Sequence, residues 1–431
     1  MTTNTSPSKP FYALLSLPAT AMGFALCVQI AALSWILNTQ YGLNLEDIGL
    51  VWLAGPVAGI LGQVIVGAIS DGVWFMGGRR RPFIVIGGTI AALMILALPN
   101  LEVISGALGL DGIIGVALVV ALTLDLAINV SFNPARSIIA DVTPAGEART
   151  KGFTWMQTIS GFFGVMAYLI GAFVNNYFLI YSGAIIVFLF SVFPAFFIRE
   201  PRDLGAEKLD VGAVDGSDDQ TDWPAFLKIC AAHAFTWVGV QTMFIYTFGY
   251  IKETIMGYET TAALTTEQND EIGFTIGVAF AILNTVGFLL PALVLEPIAT
   301  RIGRVRTHTL AIAVSAIGYG LIVLFGTSVT AFYGLMAVVG VGWAAIVSLP
   351  FAIMTEVVDQ RRMGLMMGLF NLSVVLPQIV ASLLGGYIEH AADKSLIFMI
   401  SGVTLAFSAG LWLLVKEQAG ATVSPVTGGG H

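Results

Sequence analysis

Long apolar runs, each broken by a short polar or glycine-rich stretch, recur along the whole chain. They occupy 11–39, 48–69, 82–99, 112–140, 151–175 and 178–198, then 224–251, 272–295, 306–326, 331–357, 364–387 and 394–415. A helix needs about 20 mostly apolar residues to cross the hydrocarbon of a bilayer, so the pattern predicts an all-α polytopic membrane protein with twelve spans. Several runs exceed that length, which implies tilted helices or protruding ends. Between the two sets, 199–223 is rich in Asp, Glu and Gly, has no apolar periodicity, and reads as a flexible cytoplasmic linker. The expected organisation is a six-helix bundle at 1–198, the linker at 199–223, a second six-helix bundle at 224–418 and a disordered tail at 419–431.

Composition supports the membrane reading. The 431 residues are 57% apolar and only 11% charged. A soluble domain usually carries about a quarter charged residues, so hydrocarbon must solvate much of this surface. The net charge of −8 argues against nucleic-acid partners, which require clustered basic surface. Cys27 and Cys230 both sit inside apolar runs and read as small buried hydrophobes, not as a disulfide or metal site. The first apolar run is too long for a cleavable signal, so it is expected to be the first span. Cytoplasmic loops are enriched in Lys and Arg. With both termini inside, 16 of the 19 basic residues fall on the cytoplasmic side, Lys252 and Lys394 fall outside, and Arg136 lies within or near a span.

The two sets share an internal pattern. After the second span stand Gly67-x-x-x-Asp71 and Gly78-Arg79-Arg80-Arg81-Pro82; after the eighth stand Glu296-Pro297 and Arg301-x-Gly303-Arg304. Pro134, Asp141 and Gly152-Phe153 around the fourth and fifth spans are echoed by Pro350, Glu356 and Gly368-Leu369-Phe370 around the tenth and eleventh. Two six-span halves with matching cytoplasmic loops are the mark of a parallel repeat.

These motifs resemble the major facilitator superfamily, whose loop after the second helix has the form G-x-x-x-D-R-x-G-R-R. Here that loop is longer by five residues, and Gly72 stands where a basic residue is usual. The longer form, Ser70-Asp71, a six-residue spacer and Gly78-Arg79-Arg80-Arg81-Pro82-Phe83-Ile84, resembles the plant sucrose transporters and their animal and bacterial relatives. So do Trp52-Leu53-Ala54-Gly55-Pro56, Leu124-Asp125-Leu126-Ala127-x-Asn129, Pro134-x-Arg136, Ala140-Asp141, Gly368-Leu369-Phe370-Asn371 and Pro377-Gln378. The resemblance implies two six-helix bundles with the substrate bound between them, and an intracellular gate made from Asp71, Arg79, Asp141, Glu356 and Arg361.

Asp125 is the residue whose chemistry stands out. The fourth span begins near Asp111, so Asp125 lies about 21 Å along a helix from that end, near mid-membrane. An ionised Asp at that depth costs roughly 2.5–3.5 kcal/mol on insertion scales. A carboxyl kept from water can also exist as the neutral acid, and a group that takes up and releases a proton is what coupling to a proton gradient requires. At about 100° per residue, Asn129, Asn133 and Arg136 fall within about 80° of Asp125. This polar stripe is expected to face an aqueous cavity. Arg136, toward the cytoplasmic exit, joins the gating set.

A second cluster sits on the seventh span, where His233, Trp237 and Gln241 share one face at i, i+4 and i+8. A sugar offers hydroxyls to polar side chains and an apolar face to aromatic rings, which suits Trp beside Gln. The alternative is an interfacial Trp and a His bonded inside the bundle. Gln29, Gln157, Asn284, Asn371 and Gln378 are further intramembrane polar residues; singly each reads as helix glue, together as a cavity lining. The candidate site is Asp125 for the proton, with Asp125, Asn129, Gln29, His233, Trp237, Gln241, Gln157 and Asn371 for the substrate.

No metal-ligand cluster or Walker motif is present in the sequence, and an enzyme is not expected. The expected function is proton-coupled symport of a disaccharide, sucrose or a related glucoside, by a cofactor-free monomer with both termini cytoplasmic in a plasma or bacterial inner membrane. A proton-coupled antiporter of drugs or metabolites, and a non-transporting sugar sensor, are the competing readings.

Overall fold

The computed structural model describes residues 8–60, 74–110, 112–143, 147–200, 221–259, 264–358 and 363–417. Its long helices are α1 (Lys9–Thr39), α2 (Leu45–Trp52, resuming over 54–60), α3 (Arg81–Ala97), α4 (Ile113–Val142), α5 (Glu147–Phe173) and α6 (Asn176–Val192). They continue with α7 (Trp223–Tyr250), α8 (Thr266–Leu290), α9 (Arg304–Phe325), α10 (Val329–Ile346), α11 (Met363–Leu383) and α12 (Leu396–Trp412). Among the described residues, nine helices are long and apolar enough to cross a membrane, and α11 and α12 supply shorter apolar helices. The expected second span, 48–69, is described only to residue 60.

Local chemistry sets many helix ends. The Asn44 side chain accepts the Asp47 N–H at the start of α2, and the Asn175 side chain accepts the Phe178 N–H at the start of α6. Each satisfies one of the first-turn donors that a helix leaves open. Beyond α3 a 3₁₀ turn (Leu98–Asn100) leads into Leu101–Leu108, which ends at Gly109 with φ +63°, a conformation glycine adopts without strain. Helix α7 ends in a π turn at Ile251–Ile255. A second π turn, Pro291–Leu295, joins α8 to the short helix Glu296–Ile302. Its first residue is a proline, which cannot donate the usual helical hydrogen bond.

Contacts divide the described chain into two compact units. Unit 1 draws on 1–215, 244–281 and 378–394; unit 2 draws on 216–243, 282–377 and 395–431. In unit 1, α1 packs against α5, α6 and α4, and α3 packs against α4 and α6. A core of Leu15, Ala19, Ile84, Ala135, Ile138, Ile139, Met156 and Ile198 gathers under these helices. Gly87 of α3 lies so close to α4 that a Cβ there would meet the Ser131 hydroxyl and the Ala127 carbonyl. Unit 1 also includes the ends of α7, α8 and α11. Trp35 Nε1–H donates to the Asn269 carbonyl at 2.9 Å, Tyr246 Oη–H to the Ser382 carbonyl at 2.7 Å, and the Leu45 N–H to the Glu389 carboxylate at 3.0 Å. In unit 2, α9 packs against α10 and α12, with Gly342 of α10 over Ser315 of α9. Small residues at such crossings let helices approach closely where hydrocarbon provides no hydrophobic drive. Exposed Phe178, Phe188, Leu189, Leu310, Leu324 and Phe407 give both units an apolar exterior suited to lipid.

Candidate functional site

Unit 1 places Asp125 in the middle of α4 with 5% of its surface exposed. The buried Gln29 of α1 donates Nε2–H to Asp125 Oδ2 at 2.9 Å. On another side the carboxyl lies against Gly55, where an added Cβ would stand 3.5 Å from Oδ2, in ordinary van der Waals contact. Three elements thus meet at one carboxyl: α1 supplies a donor, α2's continuation a glycine, and α4 the acid. Asn129 turns its amide back to the Asp125 carbonyl, Nδ2–H to O at 2.8 Å, and remains half-buried like Asn133. Arg136 is exposed, with its guanidinium 4.0 Å from the Phe132 ring centroid, a cation–π arrangement. Gln157 lies on an exposed face of α5. Of the residues expected around the proton site, Gln29 is therefore brought to the Asp125 carboxyl, whereas Asn129 bonds the backbone carbonyl one turn back on the same helix.

Unit 2 holds the second cluster. His233 is fully buried, and its Nε2 accepts the Trp237 Nε1–H at 2.9 Å. Its ring stacks on Phe370 of α11, centroids 4.9 Å apart and planes 13° apart. Trp237 meets Trp343 of α10 edge-on at 6.3 Å, and Trp343 Nε1–H points to Asn284 Oδ1 of α8 at 3.3 Å. Trp237, Trp343, Asn284 and Asn371 are half-buried, whereas Gln241 is buried. The sequence reading named Trp237 without Trp343, because one indole in an apolar run carries no sign of its partners. Buried His308 of α9 packs edge-on against Trp412, ring centroids 4.5 Å apart.

Each unit carries an ion-pair assembly at helix ends, built alike. In unit 1, Arg79 Nη2 and Arg80 Nε lie 3.1 and 3.3 Å from Asp141 Oδ2, at the end of α4. Glu200, just after α6, accepts the backbone N–H groups of Arg79 and Arg80 on Oε2 and of Arg81 on Oε1, at 2.8–2.9 Å. In unit 2, Arg304 pairs with Glu356 beyond α10, and Glu417, after α12, accepts the Arg304 and Val305 N–H groups. Gly78 and Gly303 make room for these carboxylates: a Cβ would stand 2.6 Å from Glu200 Oε1 or 2.5 Å from Glu417 Oε2. Burial pushes the Glu356 carboxyl above its ordinary range; the Arg304 charge opposes that rise and Glu417 adds to it. Glu200, Arg304 and Glu417 were not foreseen as partners. The available signal was an acid following a basic residue at the end of each half, Arg199-Glu200 and Lys416-Glu417. Asp71 and Arg361 lie outside the described residues.

The Major Facilitator Superfamily profile matches residues 14–372 and 262–430, which together take in nearly all of the chain. The chain belongs to this superfamily. It is a multi-pass membrane transporter by family, not an enzyme. It is similar to sucrose transport protein SUT5 of Oryza sativa subsp. indica, at 24% identity over 98% of this chain and 90% of the relative. It is also similar to the general alpha-glucoside permease of Schizosaccharomyces pombe, at 29% identity over 38% of this chain and 31% of the relative. Among solved structures, the inward-open xylose transporter XylE from E. coli superposes with a TM-score of 0.72 at 13% identity, over 96% of this chain and 97% of that one. The major facilitator fold is thereby established.

Proposed function

We propose that this chain carries a disaccharide of the sucrose or α-glucoside class across the bilayer together with a proton. The observation that carries the reading is the single carboxyl of Asp125, buried in mid-helix and held by an amide donor from α1. A carboxyl in that setting can exchange one proton per cycle without a cofactor. An amide donor suits it, because an acid oxygen accepts from N–H whether or not the other oxygen is protonated. Two observations support this cargo. The relatives are a sucrose transport protein and an alpha-glucoside permease. The half-buried Trp237, Trp343, Asn284 and Asn371 of unit 2 offer aromatic faces and amides, the chemistry that a pyranose with one apolar face and several hydroxyls requires.

In this reading Gln29, Asn129 and Gln157 of unit 1, and Gln241 and Asn371 of unit 2, supply polar contacts along the route. Arg79 and Asp141 in unit 1, Arg304 and Glu356 in unit 2, and Asp71, Arg136 and Arg361 belong to the cytoplasmic gate. The termini face the cytoplasm of a plasma or bacterial inner membrane. The working unit is a monomer.

The test is uptake of radiolabelled sucrose, maltose, glucose and a nucleoside into proteoliposomes, with and without an inward proton gradient. Accumulation of a disaccharide above equilibrium only with the gradient supports the reading. Gradient-independent equilibration, or preference for the nucleoside, defeats it.

A further inference from the structure

His233 has no exposed surface, whereas Trp237, one turn further along α7, is half-buried. The two are joined at 2.9 Å, indole Nε1–H to His233 Nε2. A ring nitrogen that accepts carries no proton of its own, so the neutral imidazole holds its proton on Nδ1. Among the described residues, Nδ1 has no hydrogen-bond partner, so Trp237 supplies the ring's one polar contact there. The imidazole cannot easily rotate away, because its face is stacked 4.9 Å from Phe370 with planes 13° apart. The indole at the other end is bounded by Trp343, edge-on at 6.3 Å. Trp343 in turn lies over Gly287, where a Cβ would stand 2.5 Å from its Cδ1. Phe370, His233, Trp237 and Trp343 therefore form one continuous series from α11 through α7 to α10.

An indole has two side-chain rotations, and a hydrogen bond at Nε1, far from Cα, restrains both. A ring already restrained loses less freedom when a ligand stacks on it. We propose that His233 is a positioning residue: it does not touch the cargo, but by accepting the Trp237 N–H it fixes the indole in the orientation that meets the sugar ring. This assignment rests on the sugar reading above and changes the part played by His233, from sugar contact to support for one.

The test uses the full chain in proteoliposomes, comparing wild type with H233L, H233Q, W237F and the H233L/W237F pair. Gln retains an acceptor where Leu has none. Uptake of radiolabelled sucrose and maltose should show KM raised about 3- to 10-fold in H233L, with kcat within about twofold of wild type, as expected when binding alone is weakened. H233Q should restore much of the KM, and the pair should be no worse than W237F alone. An independent readout needs no sugar: ultraviolet resonance Raman spectra, taken as wild type minus W237F, isolate the indole N–H band of Trp237. That band should move to its unbonded position in H233L and return in H233Q. An unmoved band, an unchanged KM, a loss confined to kcat, or additive losses in the pair overturns the assignment. If the band moves as expected but wild type takes up neither sugar, the sugar reading falls and the hydrogen bond's positioning of Trp237 stands.

Discussion

Gln29 Nε2 and Asp125 Oδ2 are 2.9 Å apart, both side chains are buried, and the two residues are 96 positions apart in sequence. The acid on α4 is thereby tied to α1, and ionisation strengthens that contact by making it charge-assisted. Gln29→Leu deletes the donor and leaves an acceptor short of a partner, which costs about 1–3 kcal/mol. Gradient-driven accumulation should fall about tenfold or more in Gln29→Leu, with the protein still folded by size-exclusion chromatography. Accumulation equal to wild type would remove Gln29 from the coupling site.

Glu200 binds three successive backbone N–H groups at the start of α3, and Glu417 binds two at the start of α9. Anionic acceptors at helix N-termini satisfy open donors and complement the helix dipole. Glu200→Ala and Glu417→Ala should each lower the thermal unfolding midpoint in detergent, by an amount corresponding to about 1–3 kcal/mol. The Gln variants should lie between Ala and wild type. Unchanged midpoints in both Ala variants would show these contacts to be unimportant for stability.

Glu356 lies beyond the spanning part of α10, and burial holds its carboxyl above the ordinary value of 4.5 in spite of Arg304. A carboxyl raised on folding favours the folded state at pH below its unfolded value, and that contribution is lost as pH rises through the folded value. Glu356→Gln removes the titration. The variant should therefore gain stability relative to wild type as pH is raised from about 4 to 8, as read from unfolding midpoints at each pH. A relative loss on raising pH would contradict the burial effect.

The spans were legible because hydrocarbon imposes a composition that no loop shares. Helix boundaries were less so: α8 begins at Thr266, six residues before the apolar run at 272, because Thr266-Glu267-Gln268-Asn269-Asp270-Glu271 is helical but polar. Hydropathy marks where lipid begins, not where hydrogen bonding begins. The mid-helix position of Asp125 followed from its place along one apolar run. Its bond to Gln29 did not, since pairing across 96 residues depends on how α1 and α4 pack. His233 and Trp237 were placed together by their spacing of four, but Phe370 and Trp343, from α11 and α10, were not, for the same reason. The Gly-Arg repeat pointed to the Arg–acid pairs, yet Glu200 and Glu417 sit in polar boundaries where an acid is unremarkable in sequence and acquires meaning only when three or two N–H groups converge on it.

On the proposed mechanism, Asp125 carries the proton that drives accumulation. Asp125→Asn keeps the shape and the ability to accept from Gln29 but cannot ionise. In proteoliposomes loaded with unlabelled sucrose, the variant should still exchange labelled for unlabelled sugar, while a proton gradient should no longer concentrate sugar inside. Gradient-driven accumulation at the wild-type level in Asp125→Asn would contradict the claim.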